Sequence, residues 1–110
     1  MSDQRLEVLG ALAAEIAARR VVAPDQSYTA RLLAKGVEAC AKKLGEEAVE
    51  AALAAMTPDR KRLAAESADL LYHLLVLLEA RDVPLSDVMA ELASRQGVSG
   101  LAEKAARPKD

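Results

Sequence analysis

The segment from Leu63 to Glu79 constrains the fold more than any other part of this sequence. It is apolar almost all the way round, which is typical of a helix covered on most sides. One narrow polar stripe interrupts it, formed by Glu66, Asp69 and His73 at positions i, i+3 and i+7. Ionised acids on a buried helix destabilise a fold unless a cation neutralises them. We therefore expect a bound cation beside this helix.

Composition favours helices along the whole 110-residue chain. Ala and Leu are its two most frequent residues, and both are held in a helix at little cost. Phe and Trp are absent, and Val and Ile are sparser, which argues against a strand-rich fold. The length suits one domain. We predict a single all-α domain over residues 1–110, an antiparallel bundle of about four to five helices, with a frayed tail at residues 103–110.

Charge and aromatic content exclude several classes of partner. The formal net charge is −2 and only two Tyr supply aromatic rings, so we expect no nucleic-acid-binding surface. No apolar run is long enough to span a membrane, and the N-terminus lacks the pattern of a signal peptide. We therefore expect no membrane contact and a cytoplasmic location. The single cysteine, Cys40, is predicted to be a small buried apolar residue.

Apolar spacing and helix-ending residues divide the chain into five predicted helices. They cover residues 3–20, 28–35, 37–56, about 58–80 and 87–96. Ser27 or Asp25 is expected to cap the second helix. Gly36 is expected to end that helix or to kink the chain, and Ser86 is expected to cap the last helix.

The dipeptide Thr57-Pro58 predicts a sharp turn between the two longest helices. Thr57 suits an N-cap and Pro58 suits the first helical position. Because so short a connection makes neighbouring helices antiparallel, the two helices should form a hairpin. Glu50 and Glu66 each lie about two turns from this turn, so the hairpin should place them at similar height.

Five acids lie on these two helices at helical spacing. Glu46, Glu47 and Glu50 can lean toward one side of the first helix, and Glu66 and Asp69 share a side of the second. Across a hairpin these carboxylates would repel one another. Mg²⁺ prefers oxygen ligands and would turn this repulsion into attraction. For the acids of the first helix alone, a solvated face is the simpler interpretation.

Three lysines precede the acids of the first helix and allow two interpretations. Lys42 and Lys43 can pair with Glu46 and Glu47 at i, i+4, which would merely stabilise the helix. Alternatively, these lysines and Lys35 could hold phosphate oxygens beside a metal-binding cluster. Carboxylates that bind Mg²⁺, with lysines around them, form the arrangement that phosphoryl chemistry needs.

The hydroxyl-rich segment Ser27-Tyr28-Thr29 also allows two interpretations. It could be an N-cap followed by a surface tyrosine. Alternatively, it could contact a phosphate or ribose, because helix N-termini attract anions.

The single histidine, His73, does not support a di-iron site. Four-helix di-iron proteins carry an E-x-x-H motif on two helices, and this chain has one His. We expect His73 to be a core residue or to support a metal ligand rather than to bind a metal itself.

The pattern E-E-x-x-E followed by E-x-x-D on two antiparallel helices resembles the all-α nucleoside-triphosphate pyrophosphohydrolases of the MazG-like superfamily. Within it, four stretches are similar to the phosphoribosyl-ATP pyrophosphohydrolase family of histidine biosynthesis, namely residues 27–36, 42–50, 66–78 and 91–95. The segments that narrow the resemblance to this family are Ser27-Tyr28-Thr29, Lys42-Lys43-Leu-Gly45-Glu46-Glu47, and Asp69-Leu-Leu-Tyr72-His73. The resemblance covers nearly the whole chain. It implies Mg²⁺-dependent hydrolysis of a small-molecule nucleotide, phosphoribosyl-ATP, to phosphoribosyl-AMP and pyrophosphate.

The resemblance also implies roles for individual residues and a homodimer. The metal ligands would be Glu47, Glu50, Glu66 and Asp69. Glu46 and Glu47 would take part in catalysis, Glu46 as a further ligand or as the group that orients the water. The substrate contacts would be Ser27, Tyr28, Thr29, Lys35, Lys42 and Lys43. Two other functions stay open: hydrolysis of other nucleoside triphosphates, and a non-catalytic helical dimerisation module with solvated acids.

Overall fold

The computed structural model describes residues 4–97 together with residues 100, 104, 105 and 107. Over these residues the protein has helices and no strand, which confirms the all-α prediction. The α-helices are α1 (Glu7–Ala18), α2 (Tyr28–Lys35), α3 (Val37–Ala55), α4 (Arg60–Ala80) and α5 (Leu85–Arg95). Short 3-10 turns at Gln4–Leu6 and Arg19–Val21 flank α1. Most of the tail predicted to fray lies outside the described residues, and no described helix is long and apolar enough to cross a membrane.

The hairpin of α3 and α4 is the largest helix–helix contact in the described chain. A connection of residues 56–59 joins the two helices, as the turn residues predict. Helices α1 and α2 pack against this hairpin. Arg20, just after α1, links this helix to the end of α4: its guanidinium binds Glu79 near the end of α4 and Asp82 just beyond it.

The predicted caps of α4 and α5 are wrong. Asp59, not Thr57, caps α4: its carboxylate accepts from the amide of Arg62 at 3.1 Å. The Thr57 hydroxyl instead donates to the carbonyl of Ala54 at 2.8 Å, so it completes the end of α3. Helix α5 begins at Leu85, with Pro84 rather than Ser86 in the cap position.

Two predicted features around α2 are confirmed. The Ser27 hydroxyl caps this helix and accepts from the amide of Ala30 at 3.1 Å. Gly36 separates α2 from α3 with φ of +95°, a backbone conformation that side chains other than hydrogen strongly disfavour. The turn at Gly36 allows α2 to lie against α3 and α4 at the same time.

The core lies where the first four helices meet. Its buried members are Ile16, Leu32, Cys40, Leu75 and Val76. Cys40 is fully enclosed, as predicted, and its thiol donates to the carbonyl of Leu32 at 3.3 Å. These contacts set the rotation of α3 and α4 about their own axes, and so decide which of their side chains face each other.

Helix α4 is not covered on every side by the rest of the described chain. Leu63 and Leu71 are 36% and 45% exposed. Leu71 lines an apolar cleft of about 490 Å³ together with Leu6 of the first 3-10 turn, Val8 and other residues of α1, and Met89 of α5. One copy of the chain therefore has too few helices to cover this apolar helix on every side.

Candidate active site

Three of the predicted metal ligands come together across the hairpin. One carboxylate oxygen each from Glu47 on α3 and from Glu66 and Asp69 on α4 lie within 4.8 Å of one another. Glu66 and Asp69 share a face of α4 because they are three residues apart. The antiparallel packing of α3 then brings Glu47 to the same place. We call these three residues the acidic cluster.

Glu50 and Glu46 lie beside this group but outside it. Glu50 follows Glu47 by about one turn and its side chain is exposed. Glu46 is exposed as well, with its carboxylate 3.9 Å from the ammonium of Lys43. The hairpin therefore brings together three of the four predicted ligands, and the roles of Glu46 and Glu50 stay predictions.

The acids of α4 are less buried than the leucine-rich sequence indicates. Asp69 is exposed and Glu66 is half-buried. Glu47 of α3 is also partly buried, with 14% of its side chain accessible. The expectation of costly buried charges on α4 is thus wrong, and the closeness of three carboxylates carries the metal hypothesis instead.

Lys43 forms an ion pair with the Glu47 carboxylate, and His73 lies near the same oxygen. The Lys43 ammonium lies 3.3 Å from Oε1, which confirms the predicted i, i+4 pair. This hydrogen bond raises the pKa of Lys43 above its ordinary value. Nε2 of His73 lies 4.0 Å from the same oxygen. Burial lowers the pKa of His73, so its imidazole is neutral at neutral pH.

The segment Ser27-Tyr28-Thr29 contacts Tyr72 and His73, which follow Asp69 on α4. The rings of Tyr28 and Tyr72 stack with centroids 6.4 Å apart and planes at 20°. The hydroxyls of Thr29 and Tyr72 form a hydrogen bond. Tyr28 remains 51% exposed, while the Ser27 hydroxyl is engaged as the cap of α2. Both interpretations of this segment therefore remain: it caps a helix, and it exposes a ring beside the acids.

The contact between Tyr72 and His73 is not predicted by the pattern of acids and lysines in the sequence. Their rings meet edge to face, with centroids 4.9 Å apart and planes at 79°. The available signal was spacing, since Tyr72 and His73 follow Asp69 by three and four residues on the same helix.

The remaining predicted substrate contacts, Lys35 and Lys42, are exposed. Lys42 adjoins Lys43 on α3, and Lys35 ends α2. The chain thus carries cations on the two helices next to the acidic cluster. Three hard oxygen donors within 4.8 Å suit Mg²⁺, which keeps some of its waters when bound. Of the three lysines, Lys43 lies beside a member of the acidic cluster, and the roles of Lys35 and Lys42 as substrate contacts stay predictions.

Comparison with known proteins gives a single family. The family model described as "Phosphoribosyl-ATP pyrophosphohydrolase" matches residues 9–96. A "Phosphoribosyl-ATP pyrophosphatase" of Ruegeria pomeroyi is 62% identical over 94% of this chain and 99% of its own length. Proteins with the same name are 61% identical in Cereibacter sphaeroides, over 93% of this chain and 99% of the relative, and 62% identical in Agrobacterium fabrum, over 84% and 87%.

Proposed function

Because the chain belongs to the phosphoribosyl-ATP pyrophosphohydrolase family, we propose that it hydrolyses phosphoribosyl-ATP to phosphoribosyl-AMP and pyrophosphate. This reaction is the second step of histidine biosynthesis. High identity over nearly the full length of the named relatives supports this assignment. The observation that carries it in the structure is the meeting of Glu47, Glu66 and Asp69 across the hairpin.

We propose that the acidic cluster binds Mg²⁺, with Glu50 as a further ligand. The donor set fits, because three carboxylate oxygens from two helices are already within 4.8 Å of one another. When bound, Mg²⁺ would neutralise phosphate charge and lower the pKa of a water. The protein contributes rigidity, since both helices that carry the ligands also carry core residues.

The neighbouring residues would position the substrate and the water. Glu46 lies exposed next to Glu47 and can accept a hydrogen bond from the attacking water or complete the metal site. In the reaction, the oxygen of a water bonds to one of the two phosphorus atoms of the α–β phosphoanhydride, and the bond from that phosphorus to the bridging oxygen breaks. A proton of the water passes to a base, and the products are phosphoribosyl-AMP and pyrophosphate. Lys35, Lys42 and Lys43 supply the cations that a polyphosphate needs beside an acidic cluster. Ser27, Tyr28 and Thr29 would also contact the substrate, a role supported by the edge-to-face packing of Tyr28 on His73.

The test is pyrophosphate release from phosphoribosyl-ATP with Mg²⁺, compared with ATP and dCTP. We expect selective turnover of phosphoribosyl-ATP and its loss in Glu50→Gln and Asp69→Asn. Turnover of ordinary nucleoside triphosphates instead would keep the metal site and refute the substrate. Release from no substrate would favour the non-catalytic helical module.

We also propose that two copies of the chain associate through the uncovered face of α4. Leu63 and Leu71 leave apolar surface exposed there, next to the apolar cleft shared with α1. A second copy would bury this face and complete the bundle. Sedimentation equilibrium should give a dimer for the wild type and a monomer for Leu71→Glu. A monomeric wild type would refute the proposal.

The family's biosynthetic role supports a cytoplasmic location.

A further inference from the structure

The single histidine of the chain has no role in the reaction proposed above, yet it is buried between two aromatic rings and a carboxylate. His73 is 6% exposed, and among the described residues it is the one polar side chain that is buried. It lies on α4 one turn beyond Asp69. Its Nε2 atom faces Oε1 of Glu47 on the neighbouring helix at 4.0 Å.

Aromatic contacts hold the imidazole in this orientation. Tyr72 meets it edge to face, and Tyr28 does the same with centroids 6.3 Å apart and planes at 84°. Edge-to-face geometry is a favoured arrangement of aromatic rings. The Tyr72 ring is itself held by the hydrogen bond between its hydroxyl and that of Thr29. Both tyrosines of the chain therefore surround its one histidine.

Glu47 is the member of the acidic cluster whose orientation matters most. It is the one that α3 contributes, so the cluster spans the hairpin only while this carboxylate points toward α4. The ammonium of Lys43, one turn earlier on α3, lies 3.3 Å from the Glu47 carboxylate and attracts it along α3. His73 lies near the same carboxylate on α4, the helix that carries Glu66 and Asp69.

We propose that His73 is a positioning residue that orients the Glu47 carboxylate toward Glu66 and Asp69. The imidazole does this by offering a hydrogen bond from Nε2–H to Oε1. The present 4.0 Å separation exceeds a hydrogen bond by about 1 Å, so the proposal requires the Glu47 side chain to rotate toward His73. Partners that orient a metal ligand are worth about 10–100-fold in metal affinity. The inference rests on the metal site of the proposed function.

Two substitutions separate hydrogen bonding from packing. His73→Gln keeps an N–H donor at similar reach and loses the ring. His73→Phe keeps a ring edge between the two tyrosines and loses the nitrogen. The affinity for Mn²⁺, measured by electron paramagnetic resonance, and for Mg²⁺, measured by competition, is the readout, with metal-free thermal melting as the folding control.

We expect His73→Phe to weaken Mn²⁺ binding about 10–100-fold while His73→Gln retains most of it. A purely structural role predicts the reverse order, because Phe preserves the packing. Mn²⁺ binding by the Phe variant at wild-type strength, or equal weakening by both variants, would overturn the proposal. If the Phe variant does not fold, the smaller His73→Leu serves as the nitrogen-free variant.

A double-mutant cycle tests whether His73 acts through Glu47. In a Glu47→Gln background, His73→Phe should cause no further loss of Mn²⁺ affinity, whereas an independent loss there would contradict the inference. Failure of the proposed function gives a different result. In that case the wild type itself binds no Mn²⁺ and releases no pyrophosphate, whereas failure of the His73 inference leaves both intact.

Discussion

Replacing Asp69 with Asn removes one charge from the acidic cluster while nearly conserving the size of the side chain. An Asp69 oxygen lies within 4.8 Å of oxygens of both Glu47 and Glu66, so the substitution abolishes two of the three like-charge pairs. Helix propensities of Asp and Asn are similar. We therefore expect the metal-free variant to be more stable than the wild type, although it should be inactive.

The magnitude follows from the distance. Asp69 is exposed, so the dielectric constant of water applies, and two unit charges 4.8 Å apart then repel by about 0.9 kcal/mol. Physiological salt reduces this by about half. Loss of two pairs gives about 1 kcal/mol. With an unfolding entropy of about 2.1 cal/mol/K per residue, this corresponds to a rise in Tm of about 4 °C for a chain of this length.

The assay is thermal unfolding followed by circular dichroism, at one protein concentration, first with a chelator and then with millimolar Mg²⁺. Mg²⁺ should raise the Tm of the wild type by mass action and leave the Asn variant unchanged. Asp25→Asn, in the exposed connection between α1 and α2, is the matched control and should alter neither value. A metal-free Asp69→Asn protein that melts at or below the wild-type temperature would refute the electrostatic reasoning.

Two further predictions concern the framework of the site. Ser27→Ala should destabilise the fold by about 1 kcal/mol, because the amide of Ala30 loses its cap, whereas Ser27→Gly should cost only a few tenths; urea unfolding measures both. The Cys40 thiol should resist alkylation in the native protein at neutral pH, because burial raises its pKa above the ordinary value of 9.0. This pKa also predicts a pH dependence. The stabilising contribution of Cys40 is present below about pH 9 and is lost as pH rises toward the folded pKa, so wild type should lose more stability than Cys40→Ala between pH 8 and 10.

Each of these expectations has a result that would contradict it. Equal losses for Ser27→Ala and Ser27→Gly would show that the hydroxyl does not stabilise α2 through its cap. Rapid alkylation of the native thiol, or parallel pH profiles for wild type and Cys40→Ala, would show that Cys40 is more accessible than the core packing indicates.

The helices and their antiparallel hairpin could be predicted from the sequence because they depend on local chemistry. Apolar spacing and the turn after Met56 are enough to define α3 and α4. The helix caps were harder to predict. Thr57 and Asp59 are both good N-cap residues, and the choice between them depends on which residue adopts the extended conformation before α4. Ser86 does not cap α5, because this helix begins directly after Pro84.

Burial around the site could not be read from periodicity. The leucines of α4 predict an enclosed helix, yet in one copy of the chain Asp69 and Leu71 are exposed. A hydrophobic pattern shows which face favours contact with apolar groups, but not whether the same chain supplies those groups.

By itself, the sequence determined the spacing of acids along each helix and the antiparallel direction of the two helices that carry them. Only the tertiary structure decided that Glu47, and not Glu46 or Glu50, meets Glu66 and Asp69. Successive residues are turned by about 100° around a helix, so packing at the core selects the residues that face across a hairpin. The same packing places α2 against α4, which brings Tyr28 beside Tyr72 and His73 from a distant part of the chain.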